Sequence, residues 1–218
     1  MKRQRVDQRR VRGDRTRAEI LKVAADIASR EGLERLSLGV LADALEMSKS
    51  GVVRHFGSRE NLQLATIERA AEVFAAHVLG PVHDLPPGLP RLRSLVSAWV
   101  DYLVSDAFSG GCFFYGASAE LDRRPGLLRD AVFATVCAGL RLIRSDLEAA
   151  VLAGDLAVGT DVDQLLFELH ALVQEVSTAH LMLDDPRAAE RGTRAVQGLL
   201  QRHGAARVEF DRSHDGVD

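Results

Sequence analysis

The sequence predicts an all-α protein. Three observations carry this reading. Apolar residues recur at i, i+3, i+4 and i+7 over most of the chain, the stripe of an amphipathic helix. Strand signals, apolar and polar residues alternating over roughly four to eight positions, are few. Glycines and prolines fall between the periodic stretches, as at Gly32, Gly57, Pro86-Pro87 and Pro125-Gly126. The same punctuation divides the chain into a small N-terminal domain over 14–74 and a larger helical domain over 75–204. A basic arm over 1–13 and a frayed polar tail over 205–218 flank them.

The arm holds Lys2, Arg3, Arg5, Arg9, Arg10 and Arg12 without an apolar period, so it reads as disordered. From Thr16 the pattern is helical. Ile20, Val23, Ala24, Ile27 and Ala28 form one stripe, and Gly32 is a C-terminal stop. Ser37 is an N-cap for a short helix over 38–45, and Ser48 caps another that runs to about His55. Gly57-Ser58 ends it. A long fourth helix spans 59–79, where Ser58 and Asn61 form only part of a capping box. Pro81, Pro86, Pro87 and Pro90 mark a connector. Further helices follow on the stripe Leu92, Leu95, Val96, Trp99, Val100, Leu103, then over 112–121 after the Gly110-Gly111 break. A long one carries Leu128, Val132, Val136, Leu140, Ile143, Leu147 and Val151, and the last two cover 162–183 and 186–203.

Hydrophobic residues make up 46% of the 218, enough for a core. No run of roughly 18 apolar residues offers a membrane span, and no apolar stretch follows the basic start as in a secretory signal. Cys112 and Cys137 have no zinc-ligand spacing and read as reduced thiols of a cytoplasmic protein, with no metal and no cofactor expected. The net charge of -3 hides a split. Residues 1–60 carry 14 Lys/Arg against 9 Asp/Glu, and the remainder 14 against 22. The basic front suits an anionic partner, although a solvated charge run explains the balance equally well.

The two short helices over 38–55 carry the chemistry. Leu41, Ala42 and Leu45 give the first an apolar face, Met47 fills the turn, and Val52 and Phe56 pack the second against it. Ser48, Lys49, Ser50, Gly51, Val53, Arg54 and His55 are left at or near the outer face. These are short hydroxyls, small groups and cations, a set suited to the major groove of double-stranded DNA. Ser48 and Lys49 begin this helix, Arg59 begins the next, Thr16 and Arg17 begin the first and Ser37 the second. Free amides and the helix dipole favour a phosphate at such ends. Simple capping by the hydroxyls and simple solvation of the cations remain the alternatives.

Here the sequence resembles the TetR/AcrR family of bacterial one-component repressors. The resemblance lies in Thr16-Arg17-Ala18-Glu19-Ile20-Leu21 with Ala24-Ala25 and Glu31-Gly32, in Leu41-Ala42-Asp43-Ala44 with Met47-Ser48-Lys49-Ser50-Gly51, and in His55-Phe56-Gly57-Ser58-Arg59-Glu60-Asn61-Leu62. Gly110-Gly111-Cys112-Phe113, Ala119-Glu120 and Arg124-Pro125-Gly126 resemble a recurrent C-terminal subgroup. Val53 and Arg54 depart from the large aromatic or His residues common at their positions. The resemblance implies about nine helices, a palindromic operator, and a homodimer through the last two helices. It also implies a repressor released by an unknown small-molecule effector bound in the C-terminal domain. Two apolar stripes on 162–183 suit two partners. Trp99, Tyr102, Phe113, Phe114, Tyr115, Phe133 and His170 are the large amphipathic side chains available to a pocket, with plain core the alternative for each.

An enzyme with an appended DNA-binding unit would need a catalytic signature. No GxSxG, HExxH, P-loop or GxGxxG occurs, and Gly116-Ala117-Ser118-Ala119-Glu120 lacks the second glycine of a nucleophile elbow. A non-specific architectural DNA binder is the other class, and the acidic, apolar-rich C-terminal domain argues against it.

Overall fold

The computed structural model describes the backbone of residues 2–204 and the side chains of 13–204. Nine α-helices and no strand occur among the described residues. They are α1 Lys2–Glu31, α2 Leu38–Ala44, α3 Lys49–Phe56, α4 Arg59–Phe74, α5 Leu89–Leu103, α6 Phe113–Leu121, α7 Leu127–Ala153, α8 Val162–Leu181 and α9 Ala188–Arg202. None of them is long and apolar enough to cross a membrane.

Two expectations change. The stretch 1–13, read as a disordered arm, differs in that α1 begins at Lys2. Arg, Lys and Gln are good helix formers, so backbone propensity extends a helix that an apolar stripe anchors only from Ile20. The single fourth helix expected over 59–79 is α4 followed by a π-type turn over Ala75–Leu79 and a 3-10 turn over Gly80–Val82. The tail expected over 205–218 lies outside the described residues.

The chain forms two compact units. One comprises Met1–Glu72 with Phe108–Phe133, the other Val73–Ala107 with Ala134–Asp218. Residues 108–133, read from the sequence as part of the C-terminal domain, group with the first unit by contact. The physical reason is a set of polar clamps. Asp26 of α1 accepts the Ser109 N–H at 2.9 Å and its hydroxyl at 2.7 Å, and Ser29 Oγ accepts the Gly110 N–H at 3.1 Å. Burial pushes the Asp26 carboxyl up, but the Ser109 bonds and Arg30 outweigh it and hold the group below its ordinary range. The core of this unit is Ile20, Ala24, Ala25 and Ile27 of α1, Leu41 of α2, Val52 and Phe56 of α3, Leu62 and Ile67 of α4, and Phe113 and Leu121 of α6. Each large aliphatic side chain so buried contributes about 1.5–3 kcal/mol.

In the second unit α5 presents Leu92, Leu95, Val96 and Leu103, α7 presents Ile143 and Leu147, α8 presents Leu165, Leu169 and Val173, and α9 presents Val196, Leu199 and Leu200. Asp146 of α7 ties down the start of α5. Its Oδ1 accepts the Gly88 N–H at 3.1 Å and Arg91 Nε at 2.7 Å. Burial pushes this carboxyl above its ordinary range despite both bonds.

Two expected outcomes follow from this packing. A Cβ on Gly110 would overlap the backbone of Ser29 and Arg30, which cannot swing aside as a side chain does. Gly110→Ala therefore lowers unfolding free energy by about 1–3 kcal/mol. Urea denaturation checks this, and an unchanged midpoint would refute the close approach. Burial also pushes the His170 imidazole below its ordinary value of 6.5. Below that pH the unfolded chain takes a proton that the folded chain refuses, so this contribution to stability declines as pH falls from the ordinary value. Melting temperatures at pH 7.5 and 5.5 should differ less for His170→Phe than for the wild type.

Candidate nucleic-acid interface

The interface is built from its inner side outward. Val52 and Phe56 are buried on one face of α3, and Leu41 and Ala42 are buried on α2. The turn between them is compact. Met47 N–H donates to the Ala42 carbonyl at 2.9 Å, and Glu46 takes a left-handed φ of 52°. Ser37 Oγ caps α2 by accepting the Val40 N–H at 3.2 Å. Ser48 Oγ caps α3 by accepting the Gly51 N–H at 3.2 Å, and lies 3.2 Å from Ser50 Oγ. Both predicted caps thus act as caps. A Cβ on Gly51 would come to 3.1 Å from Ser48 Oγ, so the small residue leaves the cap room. Gly57 ends α3, and Ser58 Oγ accepts the Asn61 N–H at 3.1 Å, the half of a capping box that the residue types allow.

With Val52 and Phe56 turned inward, Ser48, Lys49, Ser50, Val53 and Arg54 are exposed, and Gly51 and His55 are half-buried. Lys49 and Arg54 have no ion-pair partner among the described residues. The other cations are held within the protein. The Arg17 guanidinium stacks on the Phe56 ring, 5.2 Å from its centroid. Arg59 Nε donates to the Leu36 carbonyl at 3.1 Å, and its Nη2 donates to the Glu34 carbonyl. Thr16 and Arg17 lie inside α1 and not at its start, so the helix-end argument for a phosphate does not apply to them.

Residues that the sequence assigns to no site fix this surface. Glu120 of α6 accepts the N–H of Leu33 at 2.7 Å and of Glu34 at 2.6 Å, closing the turn after α1. Gln63 Nε2 donates to the Leu33 carbonyl at 2.7 Å. Arg124 pairs with Glu34 and holds its carboxyl below the ordinary range. The available signals were the Gly110-Gly111 break and the Ala119-Glu120 and Arg124-Pro125-Gly126 runs, which mark the segment without naming what it approaches.

The pocket candidates divide between the units. Trp99, Tyr102 and His170 lie in the second, with the Trp99 and His170 ring centroids 5.8 Å apart. Phe113 and Phe114 are buried in the first, 5.4 Å apart. Tyr115 is 42% exposed and Phe133 is 58% exposed, with Arg129 over the Phe133 ring.

Residues 20–66 match the family described as bacterial regulatory proteins, tetR family, and residues 88–196 match its tetracyclin repressor-like C-terminal domain. The chain belongs to the TetR family. A curated relative, the HTH-type transcriptional activator FasR of Mycolicibacterium smegmatis, is 26% identical over 94 residues, which is 43% of the length of each chain. Among solved structures, the fold is similar to that of a TetR transcriptional regulator of Chloroflexus aurantiacus. That similarity has a TM-score of 0.76 and 22% identity, and covers 87% of this chain and 94% of the other. It is also similar to AibR, solved with isovaleryl coenzyme A and operator DNA, with a TM-score of 0.66 and 20% identity over 87% of this chain and all of that one.

Glu120 supplies a test of how α2 and α3 are held in this TetR-family chain. Glu120→Ala leaves the part-buried Leu33 amide without an acceptor and lowers unfolding free energy by about 1 kcal/mol. Glu120→Gln keeps the shape but offers one acceptor oxygen, so its loss is smaller. Chemical denaturation should rank wild type above Gln above Ala, and an alanine variant as stable as the wild type would remove Glu120 from this role.

Proposed function

We propose that the chain is a sequence-specific DNA-binding regulator of transcription. It binds a palindromic operator as a homodimer and leaves it when a small-molecule effector occupies the C-terminal helices. The single observation that carries the reading is α3. A helix anchored by Val52 and Phe56 turns Ser48, Lys49, Ser50, Val53 and Arg54 to solvent. Lys49 sits at the first turn, suited to a phosphate. Arg54 offers a planar donor pair to guanine O6 and N7 or to a phosphate. Ser37, Gly51 and His55 border that surface. Arg17 stacks on Phe56 of α3 and Arg59 braces the segment ahead of α2, and the proposal adds contacts of Thr16, Arg17 and Arg59 with the DNA backbone.

Homodimerisation through α8 and α9 is supported by the outer face of α8. Phe167 is 70% exposed, and Leu181 on the same side is exposed too. Two large apolar side chains left exposed on α8 suit a second subunit. The effector reading is supported by AibR, whose structure holds both an acyl coenzyme A and operator DNA. A wholly cytoplasmic location and the absence of a catalytic step belong to the same reading. Repression is the preferred sign. The name of FasR makes activation the second reading, and a promoter fusion in a deletion strain decides between them.

Lys49→Ala is expected to weaken binding to palindromic and random DNA alike and to reduce the slope of log affinity against log salt by about one. Arg54→Ala should instead erode the preference for the operator. Titration of both variants at several salt concentrations checks this, and an unaltered slope for Lys49→Ala would take that lysine off the phosphate.

A further inference from the structure

Trp99 is 7% exposed, and its indole Nε1 is buried without a hydrogen-bond partner among the described residues. A buried donor left unmet is costly, and such groups persist where something outside the chain meets them. What surrounds this one says what that is. Phe74 meets Trp99 edge-on at 6.2 Å and Tyr102 edge-on at 5.4 Å, and His77 lies 6.0 Å from Tyr102. His170 of α8 lies against the indole at 5.8 Å and makes no hydrogen bond among the described residues. All five residues belong to the second unit.

We infer that Trp99 and His170 form a binding site for an uncharged, flat, apolar molecule bearing a carbonyl oxygen, which the indole N–H meets. This rests on the effector reading above and names the chemistry of the effector. The neighbouring rings supply flat apolar faces. The neutral imidazole supplies either a donor or an acceptor at the edge of the ligand, but no charge. Burial disfavours the charged form of His170, so this ring offers a carboxylate no counter-ion at neutral pH. A hydrocarbon of the same shape leaves the indole N–H unmet and binds more weakly.

Trp99 is the one tryptophan of the chain, so its indole N–H gives a single nitrogen-15 correlation peak. The test titrates the full-length, nitrogen-15-labelled protein with acetophenone, with ethylbenzene as the shape without an acceptor, and with benzoate as the charged counterpart. Acetophenone should move the indole peak downfield to saturation and bind at least about tenfold more tightly than ethylbenzene, with benzoate weakest. Trp99→Phe, with its helical content checked by circular dichroism, should bind acetophenone and ethylbenzene alike. Equal binding of the two by the wild type, or an indole peak that no probe moves, as when ordered water alone meets the donor, overturns the proposal. Operator binding is measured on the same samples. If another molecule releases the operator while the indole peak stays still, the effector reading stands and this site falls. If no palindromic operator is bound at all, the regulator reading falls instead.

Discussion

The carboxylate of Glu120 bridging the amides of Leu33 and Glu34 is the contact on which the placement of α2 and α3 depends. Residues 33–36 join α1 to α2 without a helix of their own, yet Leu33 and Leu36 are fully buried. A buried, irregular segment must find a partner for each backbone polar group it takes from water. Here the partners come from side chains of distant elements. Glu120 accepts two N–H groups, Gln63 donates to the Leu33 carbonyl, and Arg59 donates to those of Glu34 and Leu36. Ser37 follows immediately, so the entry angle of α2 is set by this network and not by local propensity.

From that fixed point the orientation of α3 is a packing consequence. The left-handed Glu46 costs of order 1 kcal/mol, and the Met47–Ala42 bond and the burial of Val52 and Phe56 hold it in place. The cations then separate by role. Arg17 and Arg59 are spent on an aromatic ring and on carbonyls, where a planar guanidinium serves better than an ammonium. Lys49, a compact charge on a flexible stem, stands in solvent at the start of α3. Basic residues near an interface are thus not equivalent, and net charge alone does not distinguish them.

This explains what was legible beforehand. The helices α2, α3 and α6 to α9 follow the apolar period closely, because period and cap are local and strong signals at those places. The packing of residues 108–133 against α1 was not legible. It rests on Asp26 with Ser109, 83 residues apart in sequence, and on Glu120 with Leu33, 87 apart. No local pattern encodes such pairs. The start of α1 was missed for a different reason, since the expectation rested on apolar period and the extension rests on propensity alone. Tyr115 and Phe133 were grouped with the other rings by residue type, yet stand well exposed. Ring size argues for burial only where the helix face is known.

The two units also treat buried polarity differently. In the first, Gln63 and Thr66 are buried and hydrogen-bonded, and the loop amides are met by Glu120, which leaves Arg69 Nε as its one unmatched buried side-chain atom among the described residues. In the second, Trp99 Nε1, Asp146 Oδ2 and Gln174 Oε1 are unmatched on three different helices. Unmatched polar atoms weaken a core and loosen its preference for one packing. A unit that holds a helix in a fixed orientation benefits from near-complete satisfaction, because matched polar groups favour one packing. A unit that answers a ligand benefits from the reverse. Binding energy shifts an equilibrium only where the ligand binds one state better than the other, and most of the unmatched atoms among the described residues lie in the second unit.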